Sequence, residues 1–107
     1  MEELVIIQYI SKEGDAMNIR VVKRSGEEAA FQPEKIENAI YLASAKSLNG
    51  ACRELAERVV KKVTEFIEKN YESVITVEQI QDIVENFLMD SDRKDVAKEY
   101  ILYRGAR

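Results

Sequence analysis

The spacing of apolar positions changes along the chain from a strand-like pattern to a helical one. Three short stretches near the N-terminus are rich in β-branched and apolar residues and cover residues 4–10, 19–24 and 28–31. Ser25 and Gly26 lie between the last two stretches and are typical of a tight turn. This pattern predicts a hairpin over residues 19–31, preceded by an edge strand or an appended arm over residues 1–18.

From Pro33 onward, apolar residues recur three or four positions apart, which predicts four amphipathic helices. Pro33 suits a first helical position, with Gln32 before it at the cap. Thr76 and Gln79 have the spacing of a capping box, which predicts the start of the third helix. Residues 74–75 before it allow a short extended piece. The four predicted apolar stripes are Ile36, Ala39, Ile40 and Ala43; Leu55, Val59, Val63, Phe66 and Ile67; Ile80, Ile83, Val84, Phe87 and Leu88; and Val96, Ala97, Tyr100 and Ile101.

Each predicted helix has to bury its stripe against a neighbour, and a small sheet can cover one end of such an assembly. We therefore expect an α+β fold that is mainly α: a four-helix bundle capped by a small three-stranded sheet or hairpin. The length of 107 residues favours a single domain. No stretch approaches the roughly 18 apolar residues of a membrane helix.

Composition excludes several kinds of chemistry. The chain has no histidine, which excludes histidine-dependent catalysis and histidine-containing zinc sites. The single cysteine, Cys52, rules out an intrachain disulfide and fits a reducing cytosol, so we expect a cytoplasmic protein. The net charge of −4 makes nucleic acid an unfavourable partner. Asp82, Glu85, Asp90 and Asp92 do not have a metal-ligand spacing, so we expect no metal site and interpret them as solvated helix surface and caps. No nucleophile–base pair and no carboxylate pair suited to catalysis is evident.

Three cations stand out in this acidic chain. Lys23 and Arg24 end the second predicted strand, and Lys35 lies in the first turn of the first predicted helix. Cations are disfavoured at that end of a helix, whereas anions bind there readily. The residues allow either a polyphosphate site between the hairpin and the first helix, or ordinary solvated charge. Thr76 is likewise explained by capping alone, and Arg104 by packing.

Four separated motifs, in order, resemble those of the ATP-cone domain. They are Val21-Val22-Lys23-Arg24-Ser25-Gly26, Phe31-Gln32-Pro33-Glu34-Lys35-Ile36 with Ala39-Ile40, residues 75–85, and residues 96–104. The resemblance covers residues 19–107. ATP cones are regulatory modules of ribonucleotide reductases and of the repressor of reductase genes, and they bind ATP or dATP. Ser25 and Gln32 depart mildly from the usual motif.

The resemblance implies a nucleotide-binding role for seven residues: Val22, Lys23, Arg24, Lys35, Thr76, Gln81 and Arg104. Val22 would lie against the base or sugar, and Lys23, Arg24 and Lys35 would hold phosphates. Thr76 and the Gln81 region would flank the nucleoside, and Arg104 would be a further phosphate ligand. Mg²⁺ can accompany the nucleotide.

The implied function is a regulatory domain without activity of its own. It would sense ATP and dATP, with a reductase body or another copy of the chain as its partner. Three alternatives remain open: a fragment of the transcriptional repressor, a protein-interaction module that binds no nucleotide, and a nucleotide-using enzyme. The chain is expected to be a free-standing cone or a fragment cut at the end of the domain.

Overall fold

The computed structural model describes residues 18–106. The predicted strand or arm over residues 4–10 therefore lies outside the described part of the chain. Within that part the elements in chain order are β1 (Arg20–Val22), β2 (Glu28–Ala30), α1 (Pro33–Lys46), α2 (Arg53–Asn70), β3 (Val74–Thr76), α3 (Val77–Asp90) and α4 (Lys94–Ala106). The expected mainly α fold with four helices and a small three-stranded sheet is confirmed.

The sheet has the strand order β2-β1-β3. β1 and β2 are antiparallel and form the predicted hairpin, with Val22 opposite Glu28. The turn between them is closed by two backbone hydrogen bonds: the Lys23 N–H donates to the Glu27 carbonyl over 2.8 Å, and the Gly26 N–H donates to the Lys23 carbonyl over 2.9 Å. Gly26 has a φ of +96°, a conformation that glycine adopts without steric cost.

Within residues 18–106, the third strand of the sheet is β3, which lies far from the hairpin in the sequence. β3 pairs in parallel with β1, so that Val21 lies opposite Ile75. The sequence pattern allowed only a short extended piece at residues 74–75, and it offered residues 4–10, which lie outside the described part of the chain, as an edge strand or an arm. Parallel pairing between segments more than fifty residues apart leaves no local signal, because no turn connects the two strands.

The hydrophobic core lies between the helices and the inner face of the sheet. Its buried members are Ile19, Val21, Phe31, Ile40, Ala43, Leu55, Ala56, Val59, Val63, Ile67, Ile75, Ile80, Ile83, Val84, Leu88, Val96, Ala97 and Tyr100. Two residues of the predicted stripes are exposed instead: Phe66 at 40% and Ile101 at 38%. Phe66 packs edge-on against Phe87, with the ring centroids 6.1 Å apart.

A polar junction joins the α1–α2 connection to the start of α4. The Arg93 side chain donates to the Gly50 carbonyl over 2.7 Å and to the Asp95 carboxylate over 3.0 Å. The Asn49 N–H donates to the same carboxylate over 2.9 Å. The hydrogen bonds from Arg93 and Asn49 hold the pKa of Asp95 well below its usual range. This junction fixes the loop in which Gly50 has a φ of +88°.

Candidate functional site

The C-terminal ends of β1 and β3 meet at one edge of the sheet. Val22 and Thr76 are register partners in the two parallel strands. Beyond Val22 the chain enters the turn that carries Lys23 and Arg24, and beyond Thr76 it enters α3. Because parallel strands end at the same edge, the basic turn lies beside the N-terminus of α3. Fold topology thus brings together four of the seven residues predicted to bind a nucleotide.

Thr76 caps α3 as predicted. Its Oγ1 accepts a hydrogen bond from the Gln79 N–H over 3.1 Å, and the Gln79 Oε1 accepts one from the Thr76 N–H over 2.9 Å. This capping box satisfies two backbone donors and leaves the other N–H groups of the first helical turn without intrahelical partners. The helix therefore presents a positive end to the edge of the sheet.

Arg24 is tied to the first turn of α3. Its Nε donates to the Glu78 Oε2 over 2.9 Å, and the two side chains are 55% and 48% exposed. The terminal nitrogens of the guanidinium have no partner within residues 18–106. Lys23 is exposed and forms no ion pair within the same range. The turn thus keeps donors that an anionic ligand can use.

Lys35 occupies the predicted place in the first turn of α1. Pro33 is the first helical residue, and Gln32 stands at the cap without a side-chain cap hydrogen bond. The Lys35 side chain is exposed, and no hydrogen bond or ion pair of the described residues joins it to the basic turn. β2 carries the chain back to the Arg20 end of β1 before α1 begins. The observed contacts link the basic turn to α3 rather than to α1.

Gln81 and Arg104 lie further along α3 and α4. Gln81 is 7% exposed, and its Oε1 is buried without a hydrogen-bond partner among the described residues. Arg104 donates from Nη1 to Asp82 and to Glu85, each over 2.9 Å. Burial lowers the pKa of Arg104, but its hydrogen bond to Asp82 and the charges of Asp82 and Glu85 outweigh that effect and raise it. Arg104 therefore holds α4 against α3.

Three acidic residues of α3 were not identified as functional partners from the sequence. Glu78, Asp82 and Glu85 follow one another at helical spacing and lie along one side of α3. Asp82 and Glu85, predicted to be solvated surface, pair with Arg104, and Glu78 pairs with Arg24. The spacing was visible in the sequence, but the arginines that neutralise the stripe come from other elements.

The described residues contain no group of three histidine, cysteine or acidic side chains placed to hold a metal ion. A shallow concavity of about 270 Å³ lies elsewhere, along α4 beside the C-terminal end of α3. It is mainly apolar and is lined by Met89, Lys94, Ala97, Lys98, Ile101 and Leu102. None of the seven predicted nucleotide residues lines it.

Comparison with known proteins decides the family. Residues 19–107 match the model of the ATP cone domain. The chain belongs to the ATP-cone domain family. ATP-cone domains are nucleotide-binding regulatory modules, so the resemblance read from the four motifs is confirmed.

Relatives of this ATP cone include ribonucleotide reductases. It is 38% identical over 96 residues to the ribonucleoside-diphosphate reductase subunit alpha of Chlamydia pneumoniae, covering 83% of this chain and 9% of that protein. It is 44% identical over 92 residues to the vitamin B12-dependent ribonucleoside-diphosphate reductase of Thermoplasma acidophilum, covering 81% and 12%. It is 37% identical over 90 residues to the anaerobic ribonucleoside-triphosphate reductase of Haemophilus influenzae, covering 84% and 13%.

The chain thus spans about a tenth of the length of these curated relatives. Their catalytic activities belong to proteins that are far longer. Within residues 18–106, no helix has the combination of length and hydropathy that a bilayer span requires.

Proposed function

We propose that this ATP-cone domain binds ATP or dATP as an allosteric effector and thereby switches the activity of a ribonucleotide reductase. The observation that carries the proposal is the pairing of Val22 with Thr76, which sets the basic turn beside the N-terminus of α3. Two separate sources of positive potential, side-chain cations and a helix end, converge there on one sheet edge. A polyphosphate is the ligand chemistry that suits such an edge.

In this proposal the seven residues divide by chemistry. Lys23 and Arg24 supply N–H donors to phosphate oxygens at the sheet edge, and Lys35 adds a third cation when its exposed side chain reaches across from the first turn of α1. Arg104 joins them only when a phosphate displaces Asp82 and Glu85. Val22 is half-buried and offers an apolar surface to the base or sugar. Thr76 and Gln81 flank the nucleoside, and the unpartnered Gln81 Oε1 accepts an N–H or O–H of the ligand.

Mg²⁺ enters this proposal with the nucleotide. The described residues offer no three-ligand metal cluster, whereas Mg²⁺ is commonly held by phosphate oxygens, water and one or two carboxylates. The ion would therefore be carried mainly by the triphosphate and would shield part of its charge.

Regulation in this proposal follows from differential binding. ATP and dATP differ by one 2′-hydroxyl, and a ligand shifts a two-state equilibrium only by its difference in affinity for the two states. Each nucleotide would then favour a different contact surface for the reductase body or for a second copy of the chain. The similarity to reductases supports a role within a reductase over the alternative that the chain is a fragment of the gene repressor. The free thiol of Cys52 fits a cytoplasmic location.

Titration calorimetry of the 107-residue chain with ATP and dATP tests the binding. We expect a Kd on the order of a micromolar, equivalent to about −8 kcal/mol. The double variant Lys23→Ala/Arg24→Ala removes two charge-assisted donors, each contributing about 1.5–3 kcal/mol, so its affinity should fall at least about 100-fold.

The matched control for that variant is Lys61→Ala/Lys62→Ala, which removes the same charge from the exposed face of α2. The control should bind ATP as the unaltered chain does. A basic-turn variant with undiminished affinity would contradict the site. Sedimentation of the chain with saturating ATP and with saturating dATP tests whether the switch acts through self-association, and identical assembly masses would contradict a second copy of the chain as the partner.

A further inference from the structure

We propose that Glu78 is a positioning residue for the nucleotide phosphates: it holds Arg24 through Nε so that the terminal guanidinium nitrogens stay available to a phosphate. This inference rests on the proposed function and assigns a role to a residue outside the seven predicted from the sequence. Its basis is the single hydrogen bond of 2.9 Å between Arg24 Nε and Glu78 Oε2.

The geometry of the contact leaves Arg24 with unused binding capacity. A guanidinium has five N–H donors, one on Nε and two on each terminal nitrogen. Glu78 takes the Nε donor, and within residues 18–106 no other acceptor takes the remaining four. Those four donors form the fork that binds phosphate oxygens in pairs. One arginine can therefore hold the carboxylate and a phosphate at the same time.

Ordering Arg24 before the ligand arrives has an energetic consequence. Arginine has many rotamers, and immobilising such a side chain on binding costs affinity. Arg24 is more than half exposed in a turn, so packing does little to restrict it. The bond to Glu78 restricts it in the free protein, which reduces the entropy that the ligand would otherwise have to overcome.

The same carboxylate also repels phosphate, and its position limits that effect. Glu78 lies in the first turn of α3, two residues after the capping Thr76. The positive end of the helix dipole offsets part of a negative charge at this position. We therefore expect the positioning effect to exceed the repulsion.

Calorimetry with ATP distinguishes the positioning of Arg24 by Glu78 from the repulsion between Glu78 and the phosphates. Glu78→Ala removes both the acceptor and the charge, and should weaken ATP binding about three- to tenfold. Glu78→Gln keeps an oxygen acceptor for Nε and should restore affinity to within about twofold of the unaltered chain, given the size of exposed ion-pair effects. Glu54→Ala is the matched control, because Glu54 is an exposed glutamate at the equivalent position of α2 and should leave affinity unchanged.

A second series shows whether Glu78 acts through Arg24. In an Arg24→Ala background, adding Glu78→Ala should change ATP affinity by less than about twofold, because the group that Glu78 positions is gone. An equal loss in both backgrounds would overturn the inference, as would a Glu78→Ala variant that binds ATP as tightly as the unaltered chain or more tightly. Absence of ATP binding by the unaltered chain would refute the proposed function itself and this inference with it.

Discussion

At the scale of single residues, charge pairs hold the connections between elements. The Arg93–Asp95 pair is the most enclosed ion pair among residues 18–106, with side chains 18% and 13% exposed. It gathers Asn49 and Gly50 around one carboxylate and so joins the start of α4 to the loop after α1. Arg24 and Arg104 have more exposed partners on α3, which fits groups that can exchange one acceptor for another.

Asp95→Asn should lower the melting temperature by several degrees at neutral pH, because it removes the charged acceptor of Arg93 and Asn49. The folded pKa of Asp95 lies below its value in the unfolded chain. Its stabilising contribution is therefore complete above about pH 4 and is lost as the pH falls towards the folded pKa. Thermal unfolding followed from pH 7 to pH 2 should show the two proteins converging below about pH 4.

The control for this prediction is Asp90→Asn, which alters an exposed carboxylate that has no ion pair within residues 18–106. It should leave the melting temperature at neutral pH nearly unchanged. A constant difference between Asp95→Asn and the unaltered chain across the whole pH range would show that the Asp95 charge does not provide the stabilisation.

At the scale of elements, the first turn of α3 both caps the helix and forms part of the candidate site. Its capping box terminates the helix cleanly, and its N-terminus faces the edge where β1 ends. Thr76 belongs to β3 and caps α3 at once, so strand and helix follow each other without a loop. Because no loop separates β3 from α3, the pairing of β3 with β1 also fixes the N-terminus of α3 relative to the basic turn.

Thr76→Ala should destabilise the domain by about 1 kcal/mol, because the Gln79 N–H loses its acceptor. Thr76→Ser keeps the hydroxyl and should retain most of that stability. Urea denaturation followed by circular dichroism measures both. Equal stability of Thr76→Ala and the unaltered chain would mean that the capping box contributes nothing measurable to folding.

At the scale of the whole molecule, β3 joins the sheet to the helices. Ile75 is fully buried in the common core, while its neighbour Val74 is 46% exposed on the same short strand. A domain of this size has a free energy of unfolding of about 5–15 kcal/mol. Shortening the Ile75 side chain would leave a cavity in the core and would therefore destabilise the whole fold. The sheet edge that carries the candidate site would be destabilised with it.

Ile75→Ala should lower the free energy of unfolding by about 2–5 kcal/mol. Val74→Ala changes the same strand on its exposed side and should cost no more than about 0.5 kcal/mol. Chemical denaturation of both variants provides the comparison. Equal losses would show that strand propensity, rather than core packing, dominates at this position.

Local signals were sufficient wherever neighbouring residues define the structure. Pro33 predicted the start of α1, and Thr76 with Gln79 predicted the start of α3, because capping interactions span only three or four residues. The hairpin at Ser25 and Gly26 was predicted for the same reason. The exposure of Phe66 and Ile101 was not predicted. Apolar residues spaced three or four positions apart show which face of a helix is apolar, but they do not show where the neighbouring helix ends.

The amino-acid sequence by itself determined the four helices, the β1–β2 hairpin and, through its four motifs, membership of the ATP-cone family. Only the tertiary structure decided that β3 pairs with β1, and that Glu78 holds Arg24, 54 residues away along the chain. Helix periodicity and turn chemistry act over a few residues, so they can be read in order along the chain. The parallel strand pair and the ion pairs of α3 depend on which surfaces meet when the helices pack, and that is decided by burial of the core as a whole.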